Sequence, residues 1–161
     1  MPTVVIRAFQ KADLPAILRM ERECFGQDAW PREMFLDYAA EAPELFLVAR
    51  VPRGVSGSSI AGYSIARMTR HEAEIASLAV RPLFRRRGVA TALLRASLRK
   101  LRRSGAKAVW LMVRSNNQEA IGLYRRLGFL RTATVPNYYD DRSSGWRMGM
   151  GLDHFEAAVR A

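Results

Sequence analysis

The chain has 161 residues, 49% of them apolar, and its 26 lysines and arginines against 15 aspartates and glutamates give a net charge of +11. This length and composition predict one compact domain, residues 1–161, with a substantial core. A lone cysteine and two histidines exclude an internal disulfide and leave no cluster spaced for a metal ion, and the absence of a signal sequence or a long apolar run predicts a soluble, cytoplasmic protein.

The excess of arginine favours an anionic partner. A nucleic acid, a ribosomal surface or a phosphorylated cofactor would each fit a long-range positive field. The alternative is arginine spread over solvated faces, because net charge alone does not identify a ligand. The sequence has no RNA-binding aromatic signature and no basic tail, so RNA binding gains no further support.

The first half of the chain predicts strands and two helices. Residues 3–9 form a predicted strand, and Asp13 is predicted to cap a helix. The apolar positions of that helix are Leu14, Ile17, Leu18, Cys24 and Phe25, and Cys24 is expected to pack in the core. A short helix is predicted near Trp30. Residues 44–50 and 59–68 are predicted to form an antiparallel hairpin across a loop rich in glycine and serine.

The second half alternates strands with helices. A strand at 73–80 precedes a basic turn and a helix that Gly105 closes, and 106–113 is apolar on both faces, as in a buried strand. The helix has one apolar face, formed by Ala90, Leu93, Leu94, Ser97, Leu98 and Leu101. Another helix ends at Gly128, and strands at 129–135 and 146–152 follow. This order predicts an α/β fold with a mixed sheet flanked by helices.

The basic turn, FRRRGVATALL at 84–94, lies between a predicted strand and a helix amino terminus. The first N–H groups of a helix lack internal acceptors and the helix dipole is positive there, so the turn predicts an anion site. Gly88 would let the backbone approach a phosphate, and Ala90 would keep the next turn narrow. The spacing is neither that of a nucleotide P-loop nor G-x-G-x-x-G, and a basic helix start without a ligand is the alternative.

Three motifs in order, SLAVRPLFRRRGVATALL, VWLMVRSNNQEAIGLYRRLGF and NYY, strongly resemble the GNAT superfamily of acetyl-CoA-dependent N-acetyltransferases. Within it, the sequence most resembles the bacterial enzymes that acetylate the amino-terminal alanine of a ribosomal protein. The resemblance covers almost the whole chain. It implies a mostly antiparallel sheet of six or seven strands with a splayed parallel pair, about four helices, acetyl-CoA as cofactor and coenzyme A as product.

The resemblance also implies roles for single residues. The backbone of Leu78, Ala79 and Val80 would hold the pantetheine arm. The pyrophosphate would be cradled by Arg85, Arg86, Arg87, Gly88, Val89, Ala90 and Thr91. Asn117 would lie beside the cofactor arm, with a plain helix cap as the alternative. Tyr124 would act as the acid at the thioester sulfur, with packing of its helix as the alternative.

One departure concerns the general base. The ribosomal-protein enzymes have a glutamate where this chain has Met112, which cannot take a proton. Glu74 matches the strand position of the glutamate in other members and would act through water. It lies four residues from Leu78, about 13 Å along a strand, and a solvent-facing carboxylate is the alternative. Glu72 is a weaker candidate.

The acceptor entrance is expected at Tyr138 and Tyr139, which match the NYY of the ribosomal-protein group, with Trp30 as an opposite wall or as core. Asp140 and Asp141 either bind an ammonium group or shape a turn.

The predicted acceptor is the α-amine of a protein amino terminus, possible substrates including a ribosomal protein. An α-amine is roughly a tenth neutral at pH 7, whereas about one lysine amine in two thousand is neutral, so a site with a weak base favours the α-amine. The alternatives are a lysine or polyamine acetyltransferase and a non-catalytic acyl-CoA-binding module on the ribosome. No membrane partner is expected, and both monomer and dimer stay open.

Overall fold

The computed structural model describes residues 4–52, 60–153 and 155. Its helices are α1 Leu14–Phe25, α2 Arg32–Glu41, α3 Val89–Arg103 and α4 Gln118–Leu127. Its strands are β1 Val5–Ala8, β2 Phe46–Arg50, β3 Ile60–Thr69, β4 Glu72–Val80, β5 Ala108–Arg114, β6 Leu130–Val135 and β7 Gly145–Gly151. Among these described helices, none combines the length and apolar character needed to cross a bilayer.

The strands form one mixed sheet in the order β1-β2-β3-β4-β5-β7-β6. β2 pairs antiparallel with β1 and β3, and β7 pairs antiparallel with β5 and β6. β4 and β5 are parallel, and their register joins Glu72–Glu74 with Ala108–Trp110. The predicted mixed sheet, the hairpin and the parallel pair are therefore confirmed. The predicted loop of that hairpin lies mostly at 53–59, outside the described residues.

The chain divides into two compact units, residues 1–67 with 77–100 and residues 68–76 with 101–161. The first contains an aromatic cluster in which Phe35 meets the Tyr63 ring edge-on at 5.7 Å and Phe46 at 6.3 Å. The second buries apolar side chains of β5, α4, β7 and the link between α4 and β6, namely Val109, Leu111, Val113, Ile121, Leu127, Phe129 and Met148. The assignment of the chain to a single domain stays a prediction.

Asp13 occupies the N-cap position of α1, as predicted, but its side chain makes no hydrogen bond to the α1 amides. Its carboxylate accepts hydrogen bonds from Arg7 Nη1 and Nη2 at 2.7 and 2.8 Å and from the Gln10 N–H at 2.8 Å. Burial opposes ionisation, but these bonds outweigh it and lower the pKa of Asp13. The side chain therefore ties β1 to the start of α1 and is not available to the helix amides.

Gly62 of β3 lies very close to the end of β4. A Cβ on Gly62 would be 2.6 Å from the Ala79 carbonyl oxygen and 3.2 Å from side-chain atoms of Leu93 and Val80. The carbonyl oxygen belongs to the backbone and cannot turn away as a flexible side chain can. The packing of β3 against this part of β4 therefore requires glycine.

We expect Gly62→Ala to lower the free energy of unfolding by about 1–3 kcal/mol, the usual cost of overpacking. Gly122→Ala is the matched control, because Gly122 is in α4 and a Cβ there meets only Arg126 Nη1 at 3.5 Å. The control should raise the unfolding free energy by roughly 0.5–1 kcal/mol through helix propensity. Urea unfolding measures both values, and equal stability of Gly62→Ala and the unsubstituted chain would contradict the interpretation.

Candidate functional site

The turn before α3 has an unusual backbone. Arg86 and Gly88 have positive φ values of 59° and 79°. The positive φ favours glycine at position 88. Apart from its chain neighbours, no atom of the described residues lies within 4 Å of a Cβ placed on Gly88, so the space beside it is open. The first N–H groups of α3, those of Val89, Ala90 and Thr91, have no acceptor within the helix. The turn thus offers backbone donors at the positive end of a 15-residue helix.

The three arginines of the turn differ in their surroundings. Arg85 Nε donates to the Val80 carbonyl oxygen at 3.0 Å, and its Nη2 lies 3.5 Å from Cys24 Sγ. The Cys24 thiol itself donates to the same carbonyl at 3.6 Å. Burial raises the pKa of Cys24, which keeps it a thiol. Arg85 therefore fixes the turn to the end of β4, and the side chains of all three arginines are exposed.

The end of β4 joins the core of the first unit. Leu78 and Val80 are partly buried against a cluster that includes Phe84, Val89 and Leu93. Ala79 is buried. The strand segment expected to hold the pantetheine arm and the helix that begins after the basic turn thus share one apolar core.

Trp30 lies between α1 and α2 and is half-buried. Its ring stacks on Tyr38 at 5.2 Å and packs against Phe35 at 5.6 Å. Its backbone N–H donates to Glu21 Oε1 at 3.1 Å. Sequence reasoning did not identify Glu21, which is 2% exposed. Its spacing of seven residues from Leu14 and four from Ile17 places it on the apolar face of α1 and is the signal that could have found it.

α4 holds two of the predicted residues. Asn117 is its N-cap, and the side-chain oxygen accepts from the Ala120 N–H at 3.2 Å, so the cap is confirmed. Tyr124 is buried with its ring edge-on to Phe129 at 5.9 Å. Burial, with a smaller contribution from Tyr139, raises the pKa of Tyr124 to about 12. The phenol therefore stays protonated at neutral pH and can donate a hydrogen bond.

Met112 and Tyr138 meet over Gly145. A Cβ on Gly145 would lie 2.9 Å from Met112 Cε and 3.2 Å from Tyr138 Cδ1. Tyr138 is 48% exposed, so part of its ring faces solvent. Met112 and Tyr138 therefore both lie next to Gly145, and the Met112 thioether offers no proton acceptor there.

Glu74 and Met112 lie on the same face of the sheet. Glu74 is opposite Trp110 in the parallel register. Met112 is two residues beyond Trp110 on β5 and therefore about 7 Å from it along the strand. On this face Arg147 lies over the Trp110 ring at 4.4 Å, and its Nη2 is 3.1 Å from Glu72 Oε1. Glu72 is therefore paired with the Arg147 guanidinium.

Arg114 anchors the loop that carries the two tyrosines. Its guanidinium lies 4.1 Å from the centre of the Tyr139 ring, and its Nη1 donates to Asp141 Oδ2 at 3.0 Å and to Ser143 Oγ. Asp141 also accepts from the Ser143 N–H at 3.0 Å. Hydrogen bonds from Ser143 and Arg114 lower the pKa of Asp141 to about 2. Of the two sequence interpretations of Asp141, the structure favours the turn.

We expect Arg114→Ala to loosen this loop, because the aspartate and the Tyr139 ring lose their shared partner. Amide hydrogen exchange at Ser143 and Arg142 should become at least about tenfold faster, while exchange at Leu111 stays unchanged. Arg99→Ala, which removes an exposed arginine of α3, is the control. Unchanged protection at Ser143 in Arg114→Ala would show that the loop does not depend on the guanidinium.

Comparisons with known proteins show which family and which relatives this chain is similar to. Residues 14–129 match the sequence model of the Acetyltransferase (GNAT) family. The chain is 30% identical over 155 residues to an N-alpha-acetyltransferase of Sulfurisphaera tokodaii, covering 91% of this chain and 92% of the relative. It is 30% identical over 134 residues to the ribosomal protein bS18-alanine N-acetyltransferase of Escherichia coli strain K12, covering 83% and 86%. The crystal structure of Ard1 from Thermoplasma volcanium superposes with a TM-score of 0.83 at 35% identity, covering 92% of this chain and 97% of Ard1.

Proposed function

We propose that this chain, which belongs to the Acetyltransferase (GNAT) family and is an acetyltransferase, moves an acetyl group from acetyl-CoA to the α-amine of a protein amino terminus. The N-alpha-acetyltransferase and bS18-alanine acetyltransferase relatives support the α-amine. Cytoplasmic amino termini, those of ribosomal proteins among them, are the proposed acceptor class.

The turn before α3 is the observation that supports acetyl-CoA most directly. Open space beside Gly88, the first N–H groups of α3 and three exposed arginines fit a diphosphate. Arg85 would in addition hold the end of β4 through the Val80 carbonyl. Acetyl-CoA would supply an acyl thioester, and the backbone N–H groups near Leu78 would polarise its carbonyl.

Tyr124 is the proposed donor to the leaving thiolate. Burial raises the pKa of Tyr124 to about 12, so the phenol keeps its proton at neutral pH and is available as a hydrogen-bond donor. Tyr124 therefore stabilises the sulfur by donating a hydrogen bond. This refines the role of acid that the family resemblance implies.

Removal of the proton from the attacking amine would need only weak base catalysis. Met112 presents a methyl group beside Tyr138, and Glu74 is the proposed acceptor of the amine proton through water. A weak base suffices for an α-amine, of which roughly a tenth is neutral at pH 7. The exposed part of Tyr138 would contact the first residues of the acceptor peptide.

The test is a panel of acceptors with acetyl-CoA, in which a thiol reagent measures free coenzyme A. Peptides with a free amino terminus should release the thiol. The same peptides with a blocked amino terminus and an internal lysine, and spermidine, should release at least about a hundredfold less, following the neutral amine fractions. Reaction of only the lysine peptides or spermidine would overturn the α-amine acceptor. Binding of acetyl-CoA without release from any acceptor would instead indicate a binding module.

Replacing the Tyr124 hydroxyl tests its role at the leaving group. Tyr124→Phe should lower kcat about 10–100-fold and change the Kd for acetyl-CoA less than about twofold, since the hydroxyl acts on the leaving group. A Tyr124→Phe enzyme with unchanged kcat would remove Tyr124 from the mechanism.

Replacing the Glu74 carboxylate tests its role as proton acceptor. Glu74→Gln should slow the reaction most near pH 7 and least above pH 9, where the α-amine is already neutral. Glu72→Gln is the matched control on the same strand face and should leave this pH dependence unaltered.

A further inference from the structure

A buried carboxylate in the first unit takes no part in the chemistry proposed above. Glu21 of α1 is 2% exposed. One oxygen accepts from the Trp30 N–H at 3.1 Å, and the other accepts from the Tyr63 hydroxyl. The Tyr63 oxygen lies 3.1 Å from Ser77 Oγ on β4. Four residues from α1, the segment between α1 and α2, β3 and β4 thus form one hydrogen-bonded chain.

The buried surroundings of Glu21 make the charged form of its carboxylate energetically unfavourable. Burial raises the pKa of Glu21, although the bonds from Tyr63 and Trp30 oppose the shift. The Tyr63 ring is itself held between Phe35 and Phe46, at 5.7 and 6.1 Å. A buried charge costs several kcal/mol unless its hydrogen bonds are well made, so the network is sensitive to the geometry of every member.

The network joins two segments that the proposed function uses. Trp30 follows α1 and is a candidate wall of the acceptor entrance. Ser77 directly precedes Leu78, whose backbone is assigned to the acyl donor. The path from Trp30 to Ser77 runs through only Glu21 and Tyr63. A shift in the carboxylate would therefore move the acceptor wall relative to the strand.

We propose that Glu21 is a positioning residue that holds the Trp30 segment against β4 through Tyr63 and thereby sets peptide affinity. The proposal rests on the proposed function for its link to the acceptor. Glu21 acts through Trp30 and Tyr63, because both of its oxygens already accept hydrogen bonds from them.

Glu21→Gln tests the proposal with little change in shape. The amide keeps one acceptor oxygen but loses the charge, and charge-assisted hydrogen bonds are about twice as strong as neutral ones. We expect KM for an amino-terminal peptide to rise about fivefold, kcat to change less than about twofold and the pH profile to stay in place. Tyr63→Phe, which removes the link to Ser77, should raise KM similarly. Glu23→Gln is the control, because Glu23 is on the same helix but exposed.

Hydrogen exchange gives a readout that does not depend on activity. The Trp30 N–H, which donates to Glu21, should exchange at least about threefold faster in Glu21→Gln and not in Glu23→Gln. If the unsubstituted chain acetylates no peptide, this measurement still tests the link between Glu21 and Trp30.

Three outcomes would overturn the proposal. Loss of kcat with a shifted pH profile in Glu21→Gln would make Glu21 a proton acceptor. A lower unfolding midpoint with unchanged KM would make it a purely structural residue. Unchanged Trp30 exchange would show that the carboxylate does not hold the segment.

Discussion

The conformation of the turn between β4 and α3 is the constraint on which the rest of the structure depends. Gly88 must adopt a positive φ for α3 to begin where it does, and its missing side chain leaves the first helical N–H groups approachable. Arg85 connects this turn to the Val80 carbonyl, so the amino-terminal end of the helix and the end of β4 are fixed together. The close approach of Gly62, on the adjacent strand β3, to the Ala79 carbonyl oxygen also fixes the end of β4.

Each compact unit also contains one charged side chain that holds a loop. In the first, Glu21 is buried and holds Trp30 and Tyr63. In the second, Arg114 holds Asp141 and the Tyr139 ring at a site where Asp141 is exposed. Solvent weakens each single ion pair or hydrogen bond of an exposed group, so Arg114 holds its loop only through several contacts at once. The buried Glu21 carboxylate is instead strongly coupled to each of its partners.

The sequence predicted the elements well and their tertiary contacts poorly. Helical periodicity identified α3, and Gly128 ends α4 with a positive φ as its position predicted. Helical spacing places Glu21 on the same face as Leu14 and Ile17, but its partner Tyr63 is 42 residues away on β3 and could not be identified from the sequence. Arg114 and Asp141 are 27 residues apart and meet only once the positions of β5 and the loop before β7 are known. Local capping rules identified the position of Asp13 but not its bonds to Arg7.

The central claim is that the turn before α3 binds the diphosphate of a coenzyme, and calorimetric titration with coenzyme A tests it most directly. The unsubstituted chain should bind with an affinity that falls as salt rises. Gly88→Ala should weaken binding at least about tenfold while lowering the unfolding free energy by only about 1–2 kcal/mol, the cost of a left-handed alanine. Absence of binding to the unsubstituted chain, or equal affinity in Gly88→Ala, would contradict the account.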